Sequence, residues 1–141
     1  MPIQNLDPRA AHEAMAKDKG HVFVDVRTPD EYDAGHPAGA VNVPWALVDP
    51  RTGQMAHNAA FLSTISKHFP PATKVYASCL SGVRSMNACR ELESAGFQQL
   101  VNVDGGFGGK RDPTGRATAP GWRDSGLPIE TSRSTYATLK A

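Results

Sequence analysis

The sequence predicts an α/β domain with a mostly parallel central sheet and helices on both faces. Strand-like apolar segments alternate with helix-like segments along the chain, which is the pattern of repeated strand–helix–strand units. The segment 21–26, HVFVDV, is almost continuously apolar and β-branched, as expected of a strand buried on both sides. With 141 residues, 40% of them apolar, the chain has the size and composition of one domain with one core.

The first two helices carry start and stop signals in the sequence. Asp7 precedes a proline and a run of helix formers, so we expect it to cap a first helix that ends before Gly20. After the next strand, Thr28 and Glu31 have the spacing of a capping box. This second helix must be short because Gly35 follows within about one turn.

Further apolar runs predict the remaining strands and helices. A short strand at 40–43 is followed by turn residues, and Asn58 is expected to cap a third helix that ends at a Pro-Pro pair. A strand at 74–78 leads through a small polar loop to a fourth helix over 85–95. The last clear strand is 100–103.

Glycine and proline dominate the segment after the last strand. Residues 105–121 are expected to form a long loop, and such a loop in a compact domain is often functional. Trp122 and Leu127 are expected to dock back on the core. We expect a single domain over 1–130, followed by a loosely held Ser/Thr-rich tail over 131–141.

Composition excludes several functional classes. The net charge of +1 gives no overall field for nucleic acid or a membrane surface, so neither is an expected partner. Two cysteines cannot form a disulfide scaffold, and they lack the spacing of a zinc site. The N-terminus lacks the pattern of an export leader and no run is long enough to span a bilayer, so the expected location is the cytoplasm.

Cys79 is the candidate nucleophile. It follows a predicted strand and precedes a predicted helix, so unpaired backbone N–H groups and the positive end of the helix dipole would favour its thiolate. Gly82 lets the loop curl so that successive amides point inward, and Arg84 adds a cation. Such a cradle suits phosphate, arsenate, a sulfonate-like group or a persulfide. The alternative is that Cys79 is a buried small hydrophobic residue.

Three motifs give the chain a resemblance to a known family. The segment 25–44, DVRTPDEYDAGHPAGAVNVP, is followed by CLSGVRS at 79–85 and by DGGF at 104–107. In this order, on the expected elements, these motifs resemble the signatures of the rhodanese (sulfurtransferase) family. The resemblance covers about residues 21–107 and implies a rhodanese-like fold.

The resemblance implies sulfur transfer in two half-reactions. Cys79 would take the outer sulfur of thiosulfate or a low-molecular-weight persulfide, and its persulfide would pass that sulfur to cyanide or a thiol. Sulfur-carrier proteins are further candidate partners, and no cofactor is implied. Arg84 would fix the loop or help to bind the donor anion. The backbone amides expected to hold the anionic sulfur are those of Leu80, Ser81, Gly82, Val83 and Arg84.

Two other functions stay open from the sequence. The loop from Cys79 to Arg84 has six residues, whereas related phosphatases and arsenate reductases use a loop one residue longer, so phosphoryl or arsenate chemistry is the weaker interpretation. Leu80 stands where thiosulfate-preferring members often have a basic residue. This departure keeps open a sulfur carrier or interaction module with weak turnover.

The remaining candidate residues are interpreted as structural support. Arg27 and Glu31 are expected to pair across the short helix, and Asp25 to accept hydrogen bonds near the base of the loop. His36 is expected to make a structural hydrogen bond instead of acting as a base, and Cys89 to pack in the core instead of serving as a resolving thiol. Three arginines of the glycine-rich segment either line the mouth of the site or are solvated loop charges: Arg111, Arg116 and Arg123.

Overall fold

Five parallel strands form the central sheet of the computed structural model, which describes residues 3–141. In chain order the strands are β1 (Gln4–Leu6), β2 (His21–Asp25), β3 (His36–Pro37), β4 (Val41–Asn42), β5 (Ala46–Val48), β6 (Met55–His57), β7 (Lys74–Ser78), β8 (Gln99–Val103), β9 (Lys110–Arg111), β10 (Ala117–Ala119) and β11 (Ile129–Glu130). The central sheet has the order β1-β8-β7-β2-β4, and every neighbouring pair in it is parallel. The predicted parallel sheet is therefore confirmed.

Helices cover both faces of this sheet. They are α1 (Pro8–Lys17), α2 (Pro29–Ala34), α3 (Phe61–His68), α4 (Val83–Ser94) and α5 (Tyr136–Lys140), with a 3₁₀ turn at Arg123–Ser125. Successive strand residues point to opposite faces. Phe23 and Tyr76 accordingly pack in one core cluster with Trp122, whereas Val24 and Ala77 pack in a second cluster that includes buried residues of α3 and α4. The predicted α/β class is confirmed.

The start signals of the first two helices act as the sequence predicts. Asp7 Oδ1 accepts a hydrogen bond from the Ala10 N–H at 2.8 Å, which satisfies one of the unpaired donors at the start of α1. Thr28 and Glu31 form both hydrogen bonds of a capping box at the start of α2. Trp122 and Leu127 pack against the core, as expected.

Two local predictions differ from the structure. Asn58 does not cap α3, which begins at Phe61 without a side-chain cap. Its Oδ1 accepts from the Ala60 N–H at 3.1 Å, in the turn just before the helix. Its Nδ2 donates to the Pro44 carbonyl and the Tyr136 hydroxyl, each at 2.8 Å, so Asn58 ties that turn to distant parts of the chain. The fourth helix begins at Val83 instead of residue 85, because Gly82 completes the turn in the left-handed region.

Several short strands have too little pattern to be predicted. β1 has only three residues, and it is fixed by parallel pairing with β8. The three two-stranded ladders, β3–β11, β5–β6 and β9–β10, also escape the sequence reasoning. Each depends on pairing with a distant or glycine-linked partner that a run of two or three residues does not reveal.

The C-terminal segment is packed, which corrects the expectation of a loosely held tail over 131–141. Tyr136 is buried in the core cluster that contains α3 and α4. Ser134 donates from its hydroxyl to Asn42 Oδ1 at 2.6 Å, and Thr135 Oγ1 accepts from the Asn42 N–H at 2.7 Å. An aromatic residue and three hydroxyls thus anchor a segment whose composition alone indicates a flexible tail.

The part of the chain from residue 3 onward has neither a membrane-spanning helix nor a metal-binding cluster. None of its helices has both the length and the apolar composition to cross a membrane. No three of its His, Cys, Asp and Glu side chains lie together as a metal-binding group. The expected cytoplasmic location stays a prediction.

Candidate active site

The connection between β7 and α4 places Cys79 at the carboxyl edge of the central sheet. β7 ends at Ser78 and α4 begins at Val83, so residues 79–82 make the whole connection. The Cys79 side chain is 1% exposed, and its Sγ accepts a hydrogen bond from the Gly82 N–H at 3.1 Å. Gly82 has a φ of +117°, a conformation that favours glycine and directs its N–H at the sulfur. The sulfur therefore faces the N-terminus of a 12-residue helix.

The carbonyl groups of this connection are bonded away from the sulfur. We call residues 105–109 the glycine strap. The carbonyl of Cys79 accepts from the Phe107 N–H at 2.7 Å, that of Leu80 from Gly108 at 2.8 Å, and that of Ser81 from Gly105 at 3.2 Å. Because these three carbonyls face the strap, the amides that alternate with them are free to face a ligand at the sulfur.

Gly106 allows the strap to approach the connection this closely. A Cβ added at this position would lie 2.8 Å from the carbonyl carbon and oxygen of Leu80, and closer still to the Cys79 carbonyl oxygen. Gly106 also has a φ of +54°, in the left-handed region. The DGGF motif is therefore a packing requirement of the Cys79 connection, and the glycine-rich segment contributes to the site through its backbone.

Arg84 is held in a two-hydrogen-bond ion pair with Glu31. Its guanidinium donates to Glu31 Oε1 at 2.7 Å and to Oε2 at 3.0 Å. Burial opposes ionisation of Glu31, but hydrogen bonds from Arg84 and Thr28 outweigh it and lower the Glu31 pKa to about 2. The structure therefore places Arg84 where it ties the start of α4 to α2, and its charge is balanced at that point.

Arg27 pairs with Asp25, which corrects the predicted Arg27–Glu31 pair. Its Nη2 lies 2.8 Å from Asp25 Oδ2, and the same nitrogen donates to the Gly35 carbonyl at 2.7 Å. Both side chains are buried, so each needs the other's charge. The Arg27 guanidinium also lies 4.6 Å from the centre of the Phe107 ring in the glycine strap. The DVR motif thus braces the region behind the strap.

A polar chain that the sequence reasoning missed reaches the sulfur from β8. The Ser85 hydroxyl lies 3.4 Å from Cys79 Sγ and donates to Asn102 Oδ1 at 2.5 Å. Asn102 Nδ2 donates in turn to Asn5 Oδ1 at 3.0 Å, across the β1–β8 pair. Ser85 and Asn102 are buried, whereas Asn5 is exposed. Asn5 and Asn102 gave no signal because neighbouring strands of a parallel sheet are far apart in sequence.

Neither His36 nor Cys89 is among the hydrogen-bond partners that the Cys79 sulfur has within residues 3–141, which are Gly82 and Ser85. His36 is buried, with Nδ1 2.8 Å from the Tyr32 carbonyl and its ring stacked on that of Tyr32. The hydrogen bond expected for His36 is therefore present. Cys89 is buried in the core on α4, where burial raises the pKa of its thiol to about 12. A thiol in that environment packs as a small apolar side chain and is a poor nucleophile.

The surface around the connection combines apolar and basic groups. Leu80 is 44% exposed and Val83 is 68% exposed, although both are apolar. Beside Leu80 and Ser81 opens a cavity of about 360 Å³, which Arg111 and Arg123 also line together with two strap glycines. Arg116 is exposed and does not line this cavity. Of the three arginines that the sequence assigns either to the mouth of the site or to the solvated loop, Arg111 and Arg123 thus lie next to the connection.

Comparison with known proteins identifies similar chains. Residues 7–109 match the family described as Rhodanese-like domain. Thiosulfate sulfurtransferase 16, chloroplastic, from Arabidopsis thaliana is 35% identical over 111 residues, which are 79% of this chain and 81% of that protein. Senescence-associated protein DIN1 from Raphanus sativus is 38% identical over 112 residues, 79% of this chain, but the match spans only about half (53%) of that relative.

A solved structure also resembles this chain in fold and in sequence. The crystal structure of Rv0390 from M. tuberculosis resembles this fold with a TM-score of 0.77 at 32% identity. The match covers 94% of this chain and all of that chain (100%). The likeness therefore extends over the sheet, the helices and the connection that holds Cys79.

Proposed function

The chain belongs to the rhodanese-like domain family, and from that premise we propose that it is a sulfurtransferase acting through a persulfide on Cys79. The donor is thiosulfate or an organic persulfide, and the acceptor is cyanide or a thiol. The observation that carries this proposal is the direction of the backbone around Cys79. Its sulfur meets the Gly82 N–H at 3.1 Å, whereas the carbonyls of Cys79, Leu80 and Ser81 are bonded to the glycine strap.

The first half-reaction loads the cysteine. The Cys79 thiolate attacks the outer sulfur of thiosulfate, a new S–S bond forms, and the S–S bond of the donor breaks. Sulfite leaves with the electron pair of that bond, and Cys79 carries a persulfide anion. The total charge is unchanged and no redox partner is needed. In this proposal the N–H groups of residues 80–84 hold the new anion, which the contact of the Gly82 N–H with Sγ at 3.1 Å supports.

The second half-reaction unloads the cysteine. The carbon of cyanide attacks the outer persulfide sulfur, forming thiocyanate, and the Cys79 thiolate leaves with the electron pair of the broken S–S bond. A thiolate acceptor reacts in the same way and leaves as an organic persulfide. The Gly82 N–H, which donates to Sγ at 3.1 Å, can stabilise the departing thiolate. The Ser85 hydroxyl lies 3.4 Å from Sγ and adds a second hydrogen bond when its single hydrogen turns from Asn102 Oδ1 to the sulfur.

Arg84 acts in this proposal as a positioning residue. Its side chain is occupied by Glu31, so it holds the start of α4, and with it the N–H groups, at a fixed place relative to Cys79. Catalysis then depends on backbone groups held in advance, which avoids reorganisation during the reaction.

The test compares the same substitution at the two cysteines. Thiocyanate formation from thiosulfate and cyanide should be lost in Cys79→Ala and retained in Cys89→Ala, since burial raises the pKa of the Cys89 thiol to about 12 and leaves it a poor nucleophile. Circular dichroism and urea unfolding show whether each variant is folded. Full activity in a folded Cys79→Ala protein would contradict the proposal.

A second candidate is a sulfur carrier that loads slowly and delivers to a protein. The exposed apolar side chains of Leu80 and Val83, beside Cys79, favour contact with a protein acceptor. Intact-mass measurement after incubation with a persulfide donor separates the two. One added sulfur on Cys79 without repeated turnover to cyanide or small thiols supports the carrier, and rapid repeated turnover supports the enzyme.

A further inference from the structure

The arginine cavity is the feature that the proposed mechanism leaves unused. This cavity of about 360 Å³ is lined by Leu80, Ser81, Gly108, Gly109, Arg111 and Arg123. It contains two guanidinium groups and no carboxylate among its lining residues. Its size falls in the range of about 300–1,000 Å³ that is typical of small-molecule sites. Thiosulfate has five atoms, so it would leave most of this space empty.

The two arginines differ from the other cations near Cys79 in having little compensating charge. Lys110 pairs with Asp104 at 2.6 Å, and Arg84 pairs with Glu31. Arg111 has no carboxylate within ion-pair distance in the described part of the chain, and its Nη1 donates only to the Gly115 carbonyl at 3.0 Å. Arg123 lies 3.9 Å from the carboxylate of its exposed neighbour Asp124, and its guanidinium lies 5.6 Å from the centre of the Phe107 ring. The cavity therefore carries positive charge that a ligand can neutralise.

The apolar wall of the cavity is fixed beside the proposed nucleophile. Leu80 follows Cys79 directly, and its side chain lies against the strap, since a Cβ added at Gly108 would be 2.7 Å from Leu80 Cδ1. The Leu80 carbonyl also accepts the Gly108 N–H at 2.8 Å. A ligand in this cavity would thus meet the apolar side chain of Leu80, the residue that follows Cys79, and the guanidinium groups of Arg111 and Arg123.

We propose that the arginine cavity is a donor subsite for an organic persulfide that carries carboxylate groups. The inference rests on the proposed sulfur transfer and names its substrate class. The outer sulfur of the donor would reach Cys79, its carbon chain would contact Leu80, and its carboxylates would bind Arg111 and Arg123. In the loading step the Cys79 thiolate bonds to the outer sulfur, the donor S–S bond breaks, and the donor thiolate leaves with that electron pair. The proton of the donor stays on the transferred sulfur.

The kinetic test uses a double variant and three donors. Arg111→Gln/Arg123→Gln should lower kcat/KM for glutathione persulfide by about tenfold, the combined effect of two partly exposed arginine–carboxylate contacts. Its kcat/KM for thiosulfate and for cysteamine persulfide, which has no carboxylate, should stay within about twofold of the wild type. Arg116→Gln removes one charge from the same segment outside the cavity, so it is the matched control for each of the single variants Arg111→Gln and Arg123→Gln. Equal losses for all donors, or no loss for glutathione persulfide, would overturn the proposal.

A binding measurement keeps this inference separate from the proposed function. S-methylglutathione has the carboxylates but no transferable sulfur, and calorimetry measures its affinity directly. It should bind the wild type and Arg116→Gln alike and bind the double variant about tenfold more weakly. If no donor gives turnover but this pattern of binding holds, sulfur transfer fails and the subsite stands. If turnover occurs and S-methylglutathione does not bind the wild type, the subsite fails and sulfur transfer stands.

Discussion

Substitution of Gly106 by alanine tests whether the glycine strap sets the direction of the Cys79 connection. The added Cβ would lie 2.8 Å from the Leu80 carbonyl carbon and oxygen, and closer still to the Cys79 carbonyl oxygen, whereas real Cβ contacts essentially never fall below 3.0 Å. All these atoms belong to the backbone, so either the strap or the connection must move. The movement would weaken the hydrogen bonds from Phe107 and Gly108 to the two carbonyls.

The expected losses of stability and activity in Gly106→Ala follow from these contacts. Two weakened hydrogen bonds cost about 1 kcal/mol each, and alanine at the positive φ of Gly106 adds about 1–2 kcal/mol. We therefore expect Gly106→Ala to lower the free energy of unfolding by about 3–4 kcal/mol. A shift of the catalytic amides approaching 1 Å should lower kcat for thiosulfate and cyanide by about a hundredfold.

Gly53→Ala is the matched control for the backbone strain. Gly53 has a φ of +73° in the exposed turn between β5 and β6, and a Cβ there would meet nothing within 4 Å. Gly53→Ala should lower the free energy of unfolding only by the backbone strain of about 1–2 kcal/mol, and it should keep full activity. Urea unfolding and steady-state kinetics of both variants provide the measurement. If Gly106→Ala matched Gly53→Ala in stability and in kcat, the strap would not position the connection.

Three further predictions concern the ion pair and the C-terminal segment. Glu31→Gln should lower stability by about 1–2 kcal/mol at pH 6–7, below the limit of about 3 kcal/mol set by a Glu31 pKa of about 2, because the pair is partly solvated. The difference in stability between wild type and Glu31→Gln should be full above pH 4.5 and should vanish as the pH falls towards 2. Urea unfolding at several pH values measures it, with the exposed Glu13→Gln as control. A difference that does not change with pH would contradict the ion pair. Arg84→Gln should lower kcat more than Glu31→Gln/Arg84→Gln does, because the single variant leaves the Glu31 carboxylate unpaired near the proposed thiolate; equal kcat values would exclude this coupling. Tyr136→Phe should cost about 1 kcal/mol by removing the hydroxyl partner of Asn58, whereas an unchanged urea midpoint would show that this contact does not hold the C-terminal segment.

Local signals explain why much of the fold could be predicted from the sequence. The caps of α1 and α2 depend on residues within one helical turn, and the long buried strands have an apolar pattern that neither a loop nor an exposed helix would carry. The errors occur where a distant partner decides the structure. Asn58 is a residue type that favours helix caps, but its Oδ1 binds the Ala60 N–H in the turn before α3, and its Nδ2 binds Pro44 and Tyr136, which are distant in sequence.

The candidate site shows the same division. The position of Cys79 between a strand and a helix could be predicted, because both elements have local patterns. The partner of Arg84 could not be predicted, since Glu31 lies 53 residues away and competes with Asp25 for the available arginines. The Ser85–Asn102–Asn5 chain was missed for a similar reason: β1 and β8 are adjacent only through the sheet. The site roles assigned to Cys79 and its loop stay predictions until the variants are measured.

The distribution of charge around Cys79 bears on what makes the site prefer anions. Arg84 and Arg27 are the nearest cations of the motif segments, and each is balanced by a carboxylate, Glu31 or Asp25. The two pairs thus brace the site and contribute little net field at the sulfur. In the proposed mechanism, the attraction for an anion bound directly at the sulfur then comes from backbone N–H groups at the start of α4, whose direction is set by Gly82 and by the glycine strap, whereas Arg111 and Arg123 act on the outer part of an organic donor. The proposed anion cradle is thus compatible with a net charge of +1, and it depends on glycines as much as on arginines.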